Sequence, residues 1–338
     1  MKTNLYVISS EKIYFNNGNF FCDNLDIKST PEGLSKYFKV NLISKKTSIS
    51  KKHQINLKFI KIYKNTFAYI LNIIKSAKVK NTKYLIVSLS PLTFMACIIL
   101  KFLKKKPYIY LRSNGYEEYK IILGSFGYFV YHLMFIITSR ISTLISCRDY
   151  ILMKKKGFVV SPSQLNKHWY ENQKLKKSIK QNLIYVGRIR QEKGIFSLLE
   201  IIKNHPEVKL SVVGMDEKTK KINQENVSFF DIINDQQKLI SLYDDNDILI
   251  LPSYTEGYPM VVLEALSRLR PVIIFKEIKH IIEDKKGIFV ADRNYDSLIK
   301  TINFIKANYY SIQEDMKQNN LPSNESFIKE IKNIILQY

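Results

Sequence analysis

Short apolar runs alternate with longer amphipathic stretches along almost the whole chain, and this rhythm restricts the fold more than any other feature of the sequence. Such runs have the length of buried strands, and amphipathic stretches between them are what parallel sheets need as crossover helices. Candidate strands lie at 4–9, 40–44, 58–63, 85–89, 108–111 and 143–146, and again at 183–187, 209–214, 227–230, 247–251, 272–275 and 287–291. A chain of 338 residues exceeds what one core usually fills, so two domains are expected. The polar, basic stretch "YENQKLKKSIKQN" has no apolar periodicity and reads as the join. The expected division is a first domain over 1–170, a linker over 171–182 and a second domain over 183–321. A closing helix over 322–338 follows, placed to pack back on the first domain, with Phe327, Ile331, Ile334 and Ile335 at helical spacing. Two doubly wound α/β domains in tandem present the carboxyl ends of their sheets to a central cleft, where such folds bind ligands.

Charge is distributed unevenly. Residues 1–180 hold 32 Lys and Arg against 8 Asp and Glu, whereas 181–338 hold 21 against 22. A basic first domain suits a polyanion, either an anionic membrane surface or a nucleic acid. The three cysteines, Cys22, Cys97 and Cys147, are far apart and set in apolar or mixed surroundings, so they are expected as buried thiols without disulfide or zinc spacing. The opening "MKTNLYVISS" has no long apolar region or cleavage site, so export through a signal peptide is not expected. Two apolar runs approach the length of a membrane span. Pro91 divides the first, 84–103, into a strand and a helix, while Gly124, Gly127 and His132 weaken the second, 121–139, which reads as a buried or interface-lying helix.

Chemistry-bearing residues concentrate in the second half. "LIYVGRIRQEKGIFSLLEII" (183–202) reads as a strand, a turn with Gly187 and Gly194, and a helix, with Arg188 and Lys193 beside the turn. A helix amino terminus with two fixed cations suits a diphosphate without requiring a metal, although a solvated loop would carry the same residues. Further on, "PSYTEGYPMVVLEAL" places Glu256 on a turn where Gly257 permits tight backbone, and Pro259 fits a helix's first turn. Amides around Gly257, Tyr258, Pro259, Met260 and Val261 are then available to a ligand, and Glu264 falls on a mainly apolar helix. A buried carboxylate needs hydrogen-bond donors, which a ligand's hydroxyl groups would supply.

The pair "VGRIRQEKG" and "PSYTEGYPMVVLEAL…RPVI", in that order, resembles the retaining glycosyltransferases called group 1 or family 4, which have the GT-B fold. The resemblance implies that Glu264 binds the ribose of a nucleotide, Glu256 contacts the donor sugar, and Arg188 and Lys193 hold the diphosphate. It further implies a nucleoside-diphosphate sugar as donor substrate, no metal or other cofactor, and retention at the anomeric carbon. A lipid-linked or polysaccharide acceptor, in assembly of a bacterial capsule or O-antigen, fits the family's habits. Together with the basic first domain, this places the protein in the cytoplasm, peripheral on the inner face of the membrane.

The chain also departs from the family's pattern. "SRLRPVI" carries Leu269 and Arg270 where many relatives have glycine, and "NNGNF" offers only Gly18 in place of a multi-glycine loop. "YIYLRSNGYEE" supplies Arg112 and Asn114 where relatives carry histidine, so these two, with Gly18, are the candidate first-domain contacts. Asp244, Asp245 and Asp247 lie at a helix-to-strand junction, where acidic residues cap and turn, and Trp169 is expected at the domain seam. Two rival readings remain. A nucleic-acid-binding protein would use the basic half, but no binding motif accompanies it. Another GT-B-like sugar-nucleotide enzyme, such as an epimerase, would share the donor site.

Overall fold

The structure, a computed structural model, describes residues 2–177, 179–215 and 224–337. It divides the chain into two compact units, Met1–Pro162 with Asn324–Tyr338, and Ser163–Ser323.

The first unit is built on a nine-stranded sheet. Its strands are β1 (Asn4–Asn16), β2 (Asn19–Cys22), β3 (Lys39–Thr47), β4 (His53–Ile55), β5 (Ile60–Tyr63), β6 (Thr82–Val87), β7 (Tyr108–Leu111), β8 (Thr143–Ser146) and β9 (Gly157–Val159). The order is β4-β2-β1-β6-β7-β8-β9, with β3 pairing β1 and β5 pairing β3. Helices α1 (Leu25–Leu34), α2 (Thr66–Ala77), α3 (Pro91–Phe102) and α4 (Gly115–Ile141) connect them. All four residues of β7 are buried, as expected for a parallel strand covered on both faces. Cys22, Cys97 and Cys147 are buried free thiols.

β1 outruns the expected 4–9 segment because its register with β3 shifts between Ile8 and Lys12, and it continues into an antiparallel hairpin with β2. Asn17 (φ 46°) and Gly18 (φ 80°) make the hairpin turn, where both central positions need left-handed backbone. Gly18, the glycine expected in place of a multi-glycine loop, is thus the tip of this hairpin. The apolar run around 121–139 also takes an unexpected form. Backbone at Gly124 is non-helical (φ 62°, ψ −150°), and the chain doubles back there. A Cβ at Gly127 would lie 2.0 Å from the carbonyl oxygen of Tyr119, and one at Gly115 would lie 2.0 Å from the Tyr131 ring. α4 is therefore a helical hairpin of two arms in close contact.

The second unit carries a six-stranded, wholly parallel sheet. Its strands are β10 (Leu183–Val186), β11 (Leu210–Met215), β12 (Val227–Asp231), β13 (Ile248–Leu251), β14 (Val272–Phe275) and β15 (Ile288–Ala291). Helices α5 (Ile195–Ile202), α6 (Gln236–Asp245), α7 (Met260–Ser267), α8 (Tyr295–Ala307) and α9 (Tyr309–Met316) complete it. The order β12-β11-β10-β13-β14-β15 reverses direction between β10 and β13, the switch point at which doubly wound sheets open a crevice.

Two expectations about the join need correction. The segment 171–182 is strapped to the second unit, which begins at Ser163. Arg268 and Arg270, both essentially inaccessible to solvent, hold it by its carbonyls. Arg268 donates to the carbonyls of Trp169, Glu171 and Asn172 and forks onto Asp244, while Arg270 donates to those of Lys174 and Tyr243. Asp247 accepts from Lys176 Nζ and from the amides of Lys180 and Asn182. Arg270, singled out above in "SRLRPVI", is thus one of the two guanidiniums that bind the strap. Trp169 is buried in the second unit's own core, edge-on to Tyr243 at 5.7 Å. Counted by unit, the first holds 29 Lys and Arg against 9 Asp and Glu, and the second 24 against 21.

The closing helix α10 (Asn324–Gln337) belongs to the first unit. Phe327, Ile331 and Ile335 are buried in that core, Tyr110 meets the Phe327 ring at 5.8 Å, and Tyr108 donates its hydroxyl to the Ile335 carbonyl.

Candidate active site

The two motif turns, about 65 residues apart in sequence, come together because β10 and β13 are parallel neighbours and each turn leaves a carboxyl end. Gly194 makes the contact possible. It has φ 66°, and a Cβ there would stand 1.9 Å from the Pro252 carbonyl oxygen. The Tyr254 amide donates to the Glu192 carbonyl at 3.0 Å, stitching one turn to the other. Gly187 is crowded likewise, since a Cβ at Gly214 on β11 would lie 2.1 Å from its carbonyl oxygen. The Tyr185 hydroxyl, buried in the sheet, donates to the Arg188 carbonyl at 2.8 Å and fixes where the turn leaves the strand.

On this frame Lys193 Nζ lies 2.7 Å from Glu256 Oε1, and the Ser253 hydroxyl donates to the same oxygen at 2.6 Å. His280 Nε2 donates to the Glu256 carbonyl at 2.9 Å. Glu256 is therefore held from three directions, with a side chain only 9% exposed. Arg188 is exposed beside this cluster. Gly194 caps α5, and Pro259 (φ −75°) caps α7 without a side-chain hydrogen bond, so both helices start at these turns. Gly257, Tyr258, Met260 and Val261 are half-buried around the second turn.

Glu264 has a different setting. It is buried on α7, and Tyr243 of α6 donates a hydroxyl to its Oε2 at 2.9 Å. Burial pushes its carboxyl up to about 7, with the Tyr243 hydrogen bond opposing the rise. Glu256 is thus matched to a cation, whereas Glu264 sits near the point at which it gains or loses its charge at neutral pH.

Sequence reasoning passed over Ser253, Tyr243, His280 and Arg293. Ser253 stood in the quoted motif, but Tyr243 and Arg293 reach the site only through the order of the strands. Arg293, on the turn after β15, lies between the rings of Tyr254 and Phe275 at 4.0 and 4.4 Å, with Nε 2.7 Å from Glu277. Its Nη1 is 3.0 Å from where a Gly194 Cβ would stand, so its guanidinium braces three of the turns.

The first-unit candidates do other work in this structure. Asn114 caps α4 by accepting from the Tyr116 amide, and Arg112 pairs with Asp26 at 3.0 Å. Asp244 and Asp247 are occupied by Arg268, Arg270 and Lys176, and no group of three metal-ligating side chains occurs among the described residues.

Residues 166–321 match the family described as Glycosyl transferases group 1. A capsular polysaccharide biosynthesis glycosyltransferase, CapM of Staphylococcus aureus, is 27% identical over 158 residues, which is 41% of this chain and 42% of that protein. The chain spans roughly a quarter to three fifths of the length of the curated relatives it matches. Among solved structures, Anabaena HepE in complex with UDP and glucose superposes over the full length of both chains with a TM-score of 0.72 at 12% identity. The UDP-GlcNAc 2-epimerase of Methanocaldococcus jannaschii superposes over 99% of this chain and 100% of that one, with a TM-score of 0.59 at 14% identity. The fold is thus one that transferases and epimerases share, and the match over 166–321 covers the two turns just described. Over 166–321 the chain is similar to the group 1 glycosyltransferases, and its fold is the GT-B fold of its structural neighbours.

Proposed function

We propose that the protein transfers a sugar from a nucleoside-diphosphate sugar to an acceptor hydroxyl, with retention at the anomeric carbon and without a metal. The observation that carries this reading is the Lys193–Glu256–Ser253 cluster against the Gly194 turn, at the switch point of the sheet. Cleavage of the glycosidic bond leaves negative charge on the diphosphate. Lys193, Arg188 and the amino end of α5 stabilise that charge where it develops. A diphosphate competes with Glu256 for Lys193, which frees the carboxylate to meet the sugar and its developing positive charge. Glu264 accepts from the ribose hydroxyl groups. The departing diphosphate takes the proton of the incoming hydroxyl, so that the new bond forms on the face the leaving group vacates.

The acceptor in this reading is a lipid-linked glycan on the inner face of the cytoplasmic membrane, and the pathway is assembly of a surface polysaccharide such as a capsule. Support comes from the likeness to CapM and from the basic first unit. The test is a thermal-shift screen of UDP-, GDP-, ADP- and CDP-sugars without metal, on the wild type and on Glu264→Ala. A shift with one nucleotide, lost in the variant, is expected; no shift with any refutes the donor site. An epimerase reading draws on the shared fold. It predicts conversion of the donor sugar in the absence of acceptor, whereas a transferase leaves the donor unchanged apart from slow hydrolysis.

A further inference from the structure

We infer that the α4 hairpin is the surface by which the first unit rests on an anionic lipid bilayer. The inference stands on that surface alone and does not require the transferase reading. At the hairpin's bend Ile121, Ile122 and Leu123 are exposed, as are Phe126 and Phe129 at the start of the second arm, the two Phe side chains at 69% and 62%. A soluble protein seldom presents so many large apolar side chains in one place without something to cover them. The apolar face continues along the second arm. Phe126, Phe129, Leu133 and Arg140 follow at spacings of three, four and seven, which keeps them on one side of a helix. The opposite side is spoken for, because Tyr131, Met134, Phe135 and Thr138 are buried against the unit.

The apolar face ends in cations. Arg140 lines a hollow with Lys101, Lys104, Lys105 and Lys106, and no carboxylate pairs with any of the five among the described residues. Lys120 is exposed beside the bend, and Phe102, next to Lys101, is 83% exposed. Apolar side chains flanked by unpaired Lys and Arg match the two layers of a bilayer surface, acyl chains below and anionic headgroups above. A second copy of the chain would bring the same positive charge against itself. α4 has the length and composition of a spanning helix, but the reversal at Gly124 leaves a first arm of about 14 Å against a hydrocarbon core of about 30 Å. The hairpin therefore lies in one leaflet, the second arm along the surface.

The experiment is flotation of the full chain with phosphatidylcholine vesicles, with and without phosphatidylglycerol, for the wild type and for F126S/F129S, I121S/I122S and K104E/K105E. All these side chains are exposed except the half-buried Lys105, and melting temperatures within a degree or so of the wild type are the folding control. Wild type is expected to float with the anionic vesicles and to be released by salt. Either apolar pair lowers partitioning about tenfold or more, and the charge reversal lowers it at least about fivefold on anionic vesicles only. Flotation unaffected by all three variants, or none by the wild type, overturns the inference. So does a concentration-dependent dimer that F126S/F129S abolishes without any vesicle binding, which would assign the apolar face to a second copy. Donor-induced thermal shifts are unchanged in these variants, so failure here and failure of the donor site are told apart.

Discussion

Replacing Glu264 by glutamine isolates the cost of a buried carboxylate. The folded chain holds this group at about 7, against an ordinary 4.5 for a glutamate, and burial is the cause. A carboxyl with a raised folded pKa binds its proton more tightly folded than unfolded. Its contribution is therefore intact below about pH 4.5 and is lost as pH climbs towards 7, because the unfolded chain ionises first. The shift corresponds to about 3 kcal/mol. Glutamine keeps the shape and accepts the Tyr243 hydroxyl through its own oxygen, but it cannot ionise. Urea unfolding of the second unit at a series of pH values from 5 to 8 measures the difference. With an m-value of about 2 kcal/mol/M for a unit of this size, the Glu264→Gln midpoint should lie roughly 1.5 M above wild type at pH 8 and approach it at pH 5. Equal midpoints throughout would mean that water or an unrecognised donor already solvates the carboxylate, and the reasoning would be wrong. A donor whose ribose donates to Glu264 prefers the ionised form, so its affinity should rise as pH passes 7.

Other substitutions probe the frame. Gly194→Ala puts a Cβ into the Pro252 carbonyl at a left-handed φ, and should cost more than about 2 kcal/mol and abolish donor-induced thermal shifts, both read by melting. Arg270→Ala leaves the carbonyls of Tyr243 and Lys174 unpaired in the interior; a loss of about 3 kcal/mol is expected, with new proteolytic cleavage within 171–182. Arg293→Ala should raise donor KM several-fold with little change in kcat. Arg293→Lys should not rescue it, because an ammonium cannot fill the slot between Tyr254 and Phe275 as a planar guanidinium does.

The alternation of apolar and amphipathic segments was enough to read the parallel sheets, since strands such as β7, β13 and β14 are buried on both faces and look it. The two motif turns were legible for a similar reason: glycine, proline and charge at fixed offsets leave few backbone alternatives. The short antiparallel strands β2 and β4 were not, because strands of four and three residues are too short to show a periodicity. The join was misplaced for an instructive reason. "YENQKLKKSIKQN" looks solvated by composition, yet it is held by its backbone, and carbonyls are invisible in a side-chain pattern. The guanidiniums that hold it lie about 95 residues downstream. Arg293 escaped notice in the same way, as its role depends on β15 lying beside β14. In α4, hydropathy located the apolar run, but the backbone at Gly124 and the contacts of Gly127 with Tyr119 and of Gly115 with Tyr131 show that it doubles back.

The first unit is discontinuous, with its last helix separated from the rest by the whole second unit. On the ribosome, β1 to β9 emerge with one flank of their core uncovered, and α10 follows only after some 160 further residues have been made. The second unit is contiguous and can close first. A nascent chain arrested before Asn324 should therefore show protease resistance in 163–323 while the earlier residues stay sensitive, and adding the final helix should protect both. The order in which the two halves mature is then the reverse of the order in which they are translated.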